Sequence, residues 1–249
     1  LTRAENDGDL LKVWTDAVGM WSSDVSSLFD RLTEEIRNPS ARAVILRTRT
    51  SFEAQMETYQ ALCRLLLPDD PAKAAELIAN EYRKFCTELC AMVHDPASSV
   101  AEELSSLCTP SSESSCGIHT NTPQAGYEYL VYSFCPMYDS NVDAVISALE
   151  DTGVSWEQAS ALWEASYNGL MDGLLRKQDG RSRNTVLADQ MAYNAWVIQW
   201  SEFLKATGAD TSLTAPLQAR AYMERTVSIC SVSDVYKDVD QQIVDYLAG

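Results

Sequence analysis

Long hydrophobic runs are missing from this sequence of 249 residues. No stretch approaches the ~18 consecutive apolar residues that a membrane-spanning helix needs, so the sequence predicts no such helix. The chain also does not open with the charged segment and apolar core of a signal peptide. We therefore expect a soluble protein, with the cytoplasm slightly favoured over secretion. Because the first residue is Leu1 rather than methionine, the removal of a leader stays open.

Basic residues are scarce as well. The chain has 19 lysines and arginines against 36 aspartates and glutamates, which gives a net charge of −17. A field of that sign repels the phosphates of nucleic acids and of anionic lipids. We therefore expect no nucleic-acid partner, and the composition favours a protein or an apolar surface instead.

Catalytic motifs are also lacking. With two histidines there is little material for acid–base catalysis, and the sequence has no Gly-x-Ser-x-Gly, no HExxH and no glycine-rich phosphate loop. A Cys116–His119 nucleophile pair comes nearest, but its loop offers no third group to orient the histidine. We expect no cofactor, and the sequence disfavours an enzyme.

The most regular feature that is present is an apolar seam near the start of the chain. Its members alternate in steps of three and four residues, which places them on one stripe of an α-helix: Leu11, Trp14, Val18, Trp21, Val25, Leu28 and Leu32. This spacing predicts a first helix over about residues 9–37, which ends at Asn38-Pro39.

Two further seams follow, and both have coiled-coil-like spacing. The second helix, to about Leu67, carries Ile45, Phe52, Met56, Tyr59, Cys63 and Leu66. The third begins after Pro68-Asp69-Asp70-Pro71, where Asp70 suits a helix cap, and carries Ala75, Ile78, Tyr82, Phe85, Leu89 and Met92 to about His94. Short connections make neighbouring helices antiparallel, so residues 9–107 predict a long helical bundle.

The second half is predicted to be helical too. Residues 108–123 are rich in cysteine, serine and proline and predict a loop or linker, and residues 124–249 form a second helical region that either packs on the first or stands apart. Ser155 and Gln158 have the spacing of a capping box, a helix is expected over about residues 184–207, and Gly208 suits its end. The fold class is therefore all-α, an elongated antiparallel bundle of about eight or nine helices with three long ones first.

Cysteine suggests two candidate sites. Cys86, Cys90 and His94 share one helix face and could bind a metal ion with Cys116 or His119, although their simpler interpretation is as buried thiols and a helix-end histidine. Cys108 and Cys116 bracket a loop of suitable length for a disulfide in an oxidising compartment. The total of seven cysteines is odd, so one at least lacks a partner within the chain.

The aromatic residues suggest two further candidate sites. Trp14 and Trp21 lie a heptad apart and are either core residues or a partner-binding face, since tryptophan is frequent in interface hot spots. A pocket for a small ligand is predicted in the second half, near Tyr127, Tyr132, Trp163 and Trp196.

Residues 10–94 also resemble the phasin family and the related helical subunit of polyhydroxyalkanoate synthases. The likeness rests on the amphipathic start from Trp14 to Trp21, on the heptads of residues 52–67, and on Asp70-Pro71-Ala72 leading into Glu76-Leu77 and Tyr82-Arg83-Lys84-Phe85. The resemblance implies a protein that coats a polyester granule or binds a synthase subunit, without a catalytic residue of its own.

The sequence thus favours a non-enzymatic binding, scaffold or accessory protein that acts through amphipathic helix surfaces. Such a protein is compatible with an oligomer. Two alternatives stay open. One is a helical enzyme or small-ligand carrier that uses the aromatic pocket of the second half. The other is a secreted or surface-exposed bundle that binds a host or partner protein.

Overall fold

The computed structural model describes residues 7–92, 155–209 and 211–233. These residues form α-helices and one short 3₁₀ helix, with no strand among them, and the predicted all-α class is confirmed. The helices are α1 (Asp7–Glu35), α2 (Pro39–Leu66), α3 (Pro71–Met92), α4 (Trp156–Lys177), α5 (Gly180–Val197), α6 (Trp200–Thr207), a 3₁₀ helix (Thr211–Leu213) and α7 (Thr214–Cys230).

The chain divides into two compact units. Unit 1 comprises residues 1–111 and 201–211, and unit 2 comprises residues 112–200 and 212–249. The short segment 201–211 therefore belongs with the first three helices, although most of its sequence neighbours belong to unit 2. The predicted loop 108–123 lies outside the described residues, as do residues 93–107 of the predicted bundle and residues 124–154 and 234–249 of the second helical region.

The three long helices of unit 1 begin and end where the sequence predicts, within about two residues. At the start of α2, the Asn38 side chain accepts hydrogen bonds from the amides of Ser40 and Ala41, and Pro39 occupies the first turn. At the start of α3, Asp70 accepts from the amide of Lys73 at 2.9 Å. Both caps satisfy amides that have no partner inside their own helix.

The core of unit 1 is built on aromatic rings. Phe85 of α3 stacks on Phe52 of α2 at 3.9 Å between ring centroids and meets Phe29 of α1 at 5.7 Å. Phe203 of α6 packs edge-on against Phe29 at 6.3 Å. All four rings are buried, so α1, α2 and α3 converge on one apolar centre. Phe52 and Phe85 belong to the seams predicted for α2 and α3, whereas Phe29 lies beside Leu28 and is not part of the predicted α1 seam.

Unit 2 contains a second set of antiparallel neighbours. The predicted capping box is present at the start of α4, where Ser155 accepts from the Gln158 amide and the Gln158 side chain accepts from the Ser155 amide. Asn168 of α4 accepts from Gln190 and Asn194 of α5. These amide contacts fix the register of α4 against α5, since sliding either helix would break them.

One predicted helix is wrong in its bounds. The single helix expected over residues 184–207 is two helices, because the regular ladder ends at Ile198 and the Gln199 amide bonds the Trp196 carbonyl instead. Neither proline nor glycine lies at this break. Trp196 and Trp200 flank it, both buried, with ring centroids 5.2 Å apart, so tertiary packing rather than local propensity sets the break.

Candidate functional site

The seam of α1 changes in burial along its length. Leu11, Trp14, Val18 and Trp21 are half-buried, whereas Val25, Leu28 and Leu32 are fully buried. The C-terminal half of the seam is therefore core, and the N-terminal half retains accessible apolar surface.

A groove lies along this N-terminal half. It has a volume of about 550 Å³ and runs between the first turns of α1 and α3. We call it the Trp14 groove, and its lining residues are Gly8, Leu10, Leu11, Trp14, Asp69, Asp70, Pro71, Ala72, Lys73 and Glu76. Since the first turns of both helices meet here, α1 and α3 run in the same direction, as an up-down-up bundle requires.

The two sides of the Trp14 groove differ in chemistry. The α1 side is apolar, with Leu10 exposed and Trp14 half-exposed. The α3 side carries three carboxylates, those of Asp69, Asp70 and Glu76, against one lysine, and that lysine pairs with Glu76 at 3.0 Å. The groove therefore offers apolar contact on one side and net negative charge on the other.

Trp21, the other tryptophan predicted to bind a partner, lies elsewhere on the same seam. It is half-buried, and its backbone carbonyl oxygen lies 4.0 Å from the Cys86 sulfur of α3. It is not among the residues that line the Trp14 groove. Of the predicted pair, Trp14 lines this groove and Trp21 does not.

The predicted metal site involves one residue whose surroundings are described. Cys86 is fully buried, and burial together with the nearby Asp24 carboxylate raises the pKa of its thiol to about 12. Such a thiol resists the deprotonation that metal binding needs. The Cys90 side chain and His94 lie outside the described part of the chain, as do Cys116 and His119. Within the described residues, no group of three or more potential ligands comes together.

The remaining cysteine prediction cannot be placed on the structure, because Cys108 and Cys116 lie outside the described residues. Cys63, Cys86 and Cys230 are described and are present as thiols. The first two are buried, which agrees with the interpretation of cysteine here as a small core residue.

The residues predicted to form an aromatic pocket are only partly described. Tyr127 and Tyr132 lie outside the described residues. Trp163 of α4 and Trp196 of α5 are both buried, and the Trp196 ring contacts Tyr193 at 5.4 Å and Trp200 at 5.2 Å. The Trp196 ring thus packs on other rings, and the pocket itself stays a prediction.

The interior of unit 2 holds a polar cluster that sequence reasoning did not identify. Asp189 of α5 accepts from the Tyr167 hydroxyl at 3.4 Å, and an Arg225 nitrogen of α7 lies 4.0 Å from its other oxygen. The guanidinium of Arg225 also lies 4.2 Å from the centre of the Tyr193 ring, a cation–π contact. The Tyr193 hydroxyl donates to the Ala221 carbonyl at 2.6 Å. All these side chains are buried.

Burial controls the ionisation of this cluster. The pKa of Tyr167 lies well above its ordinary value, because burial penalises the phenolate and the Asp189 carboxylate repels it. Burial, with a smaller effect of Glu164, also raises the pKa of Tyr222. Both phenols therefore stay protonated at neutral pH. The cluster holds charges inside the unit and presents them to one another rather than to solvent.

A signal for this cluster does exist in the sequence. Asp189 has the same helical phase as Val186, Tyr193 and Trp196, so it sits on the apolar face of α5. An acid at such a position needs a buried partner, and Arg225 provides it. The Trp14 groove gives a weaker signal, since Asp69 and Asp70 are recognisable only as residues that begin a helix.

No protein-family model, no curated protein and no solved structure matches this chain. The fold class, an all-α protein with two helical units, therefore rests on the chain's own residues, and the resemblance to phasins stays a prediction. Among the described residues, no helix combines the length and the apolar character needed to cross a membrane.

Proposed function

We propose that this chain is a non-enzymatic binding protein whose Trp14 groove takes up a segment of a partner protein that carries apolar and basic side chains. The observation that supports the proposal is the pairing of Trp14 and Leu10 with the carboxylates of Asp69, Asp70 and Glu76 across one groove. Tryptophan is one of the residues most enriched among interface hot spots.

Charge supports this choice of partner. The groove has net negative charge, and the whole chain carries −17, so a basic segment is attracted over a long range and an acidic one is repelled. An amphipathic helix suits a groove between two helices, since side chains at i, i+3 and i+4 can enter it together.

The test uses a fluorescein-labelled peptide with leucine and lysine at helical spacing, and an analogue with glutamate in place of lysine. Fluorescence anisotropy should show binding of the basic peptide and much weaker binding of the acidic one. Trp14→Ala should weaken binding about tenfold or more, as expected for a hot-spot tryptophan. The matched control is Met20→Ala, because Met20 is exposed on α1 but does not line the groove.

The charged side of the groove is tested separately. Asp69→Asn should weaken binding of the basic peptide several-fold. Asp16 is an exposed acid on α1 outside the groove, so Asp16→Asn should change the affinity little. Circular dichroism checks that each variant keeps its helix content. Equal binding of both peptides, or equal effects of the Trp14 and Met20 variants, would contradict the proposal. So would binding to polyester particles in the absence of peptide binding, which is the outcome that the resemblance to phasins predicts.

A further inference from the structure

Helix α5 has an exposed face that lacks charge. This face comprises five residues of α5 and Ile198, which follows α5 directly in a helical conformation. All six lie within about a quarter of the helix circumference and all are exposed: Asn184, Leu187, Ala188, Met191, Ala195 and Ile198. We call this the α5 outer face. Leu187 is 42 % exposed, Met191 65 % and Ile198 64 %. These are three of the largest exposed apolar side chains among the described residues, and they share one stripe.

The opposite side of α5 is already occupied. Val186, Tyr193, Trp196 and Val197 are buried within the protein. A helix that is apolar on two opposite sides normally has a neighbour on each. Residues 184, 187, 191, 195 and 198 of the outer face are also spaced by three or four residues, as on a helix face against which a second helix packs.

We infer that the α5 outer face is a self-association surface, on which the α5 helix of a second copy of this chain packs antiparallel about a two-fold axis at Met191. This surface is separate from the Trp14 groove, so the inference does not depend on the proposed function. Charge and shape support a second copy as the occupant, and the position of two bases supports the antiparallel orientation.

The first is charge. Two copies that each carry −17 repel one another, and they can meet most easily where neither presents a charged side chain. The α5 outer face meets that condition over four turns. Any partner of opposite charge would find little on the face itself to attract it.

The second feature is shape. A two-fold axis at Met191 brings Leu187 of one helix opposite Ala195 of the other, and Ile198 opposite Asn184. Large side chains then meet small or shorter ones, which lets the two surfaces interdigitate. A parallel pair would instead place leucine on leucine and isoleucine on isoleucine.

The third feature is the position of two bases. Arg181 and Arg183 lie in the first turn of α5, just before the outer face, and Arg183 also donates to the Leu175 carbonyl of α4 at 2.9 Å. A parallel pair would set these arginines beside their counterparts, whereas the antiparallel arrangement puts the two pairs at opposite ends. The closed, two-fold contact is also the commonest form of self-association in soluble proteins.

The area of the face sets the expected strength. Three large side chains are few beside the ~20–30 residues a side of a standard interface, so the dimer should be weak and dependent on concentration. In sedimentation experiments on the full chain, the mean mass should rise from 27.6 kDa towards twice that value between ~10 µM and ~1 mM.

Met191→Glu should raise the dissociation constant about tenfold or more, because it buries two facing carboxylates at the two-fold axis. The matched control is Leu46→Glu, since Leu46 is 47 % exposed on α2. A wild-type chain that stays monomeric over the whole range would overturn the inference. Equal effects of the two glutamates, or none from either, would overturn it as well.

The orientation is tested by photo-crosslinking. Ala195→p-benzoylphenylalanine should crosslink to the peptide around Leu187 of the other chain, and mixing isotope-labelled with unlabelled protein identifies crosslinks between chains by mass. A crosslink to residue 195 of the other chain would indicate parallel packing and overturn the geometry. Crosslinks confined to a single chain would show that the chain itself covers this face, which would overturn the inference altogether.

Discussion

Charged side chains in the interior of unit 2 are the most unusual feature at the scale of single residues. Asp189 and Arg225 are both completely buried, and their nearest charged atoms are 4.0 Å apart. Burying one such charge alone costs far more than a domain can tolerate, so each is present because of the other and of the tyrosines around them. Asp189 also accepts a hydrogen bond from the Tyr167 hydroxyl, which connects α4 to the same pair.

We predict that Asp189→Asn lowers the free energy of unfolding by about 3–5 kcal/mol, because it leaves the Arg225 charge buried without its carboxylate. Urea unfolding followed by circular dichroism measures the change. The exposed Asp172→Asn on α4 serves as control and should change stability by less than about 0.5 kcal/mol.

The double variant Asp189→Asn with Arg225→Met decides whether the pair itself matters. It should recover a large part of the stability lost in the single variant, since it removes the buried charge together with its partner. If the two substitutions simply added, the pair would not be energetically coupled and this account of the core would fail.

At the scale of helices, the ends of α2 and α3 show how much of this fold is encoded locally. Proline in the first turn and a side-chain acceptor just before it define both starts, and the structure places Asn38 and Asp70 there. Such signals act within four residues, so they can be recognised from the sequence alone.

We predict that Asn38→Ala costs about 1 kcal/mol of stability, because two amides of α2 lose their acceptor. Asn38→Gly is the matched comparison, since glycine at a helix cap costs only a few tenths of a kcal/mol. Thermal or urea unfolding resolves the two. An equal loss in both variants would mean that the Asn38 side chain does not act as a cap.

What the sequence could not predict depends on contacts between distant residues. Helix α5 begins at Gly180, four residues earlier than the sequence predicts, and Gly180 has a φ of +45° there. The break after α5 has no local cause, and it reflects the packing of Trp196 and Trp200. Likewise, periodicity placed Trp14 and Val25 on one seam without showing that only Val25 is buried.

At the scale of the whole molecule, the acidic charge governs how each surface works. The Trp14 groove is proposed to attract a basic segment, whereas the α5 outer face is proposed to bring together two copies that repel each other. Electrostatics thus favours the first contact and opposes the second, although both depend on apolar side chains for their strength.

Salt should therefore move the two equilibria in opposite directions. Between ~0.01 M and ~0.1 M salt the screening length falls from about 30 Å to about 10 Å, while apolar contacts change little at these concentrations. We predict that the dissociation constant of the basic peptide rises several-fold over this range, since attraction is screened. The dissociation constant for self-association should fall, since the repulsion between two chains of −17 is screened. Anisotropy and sedimentation on the same protein stock measure the two dissociation constants. Parallel shifts of the two constants would show that one of the contacts does not involve the charges assigned to it.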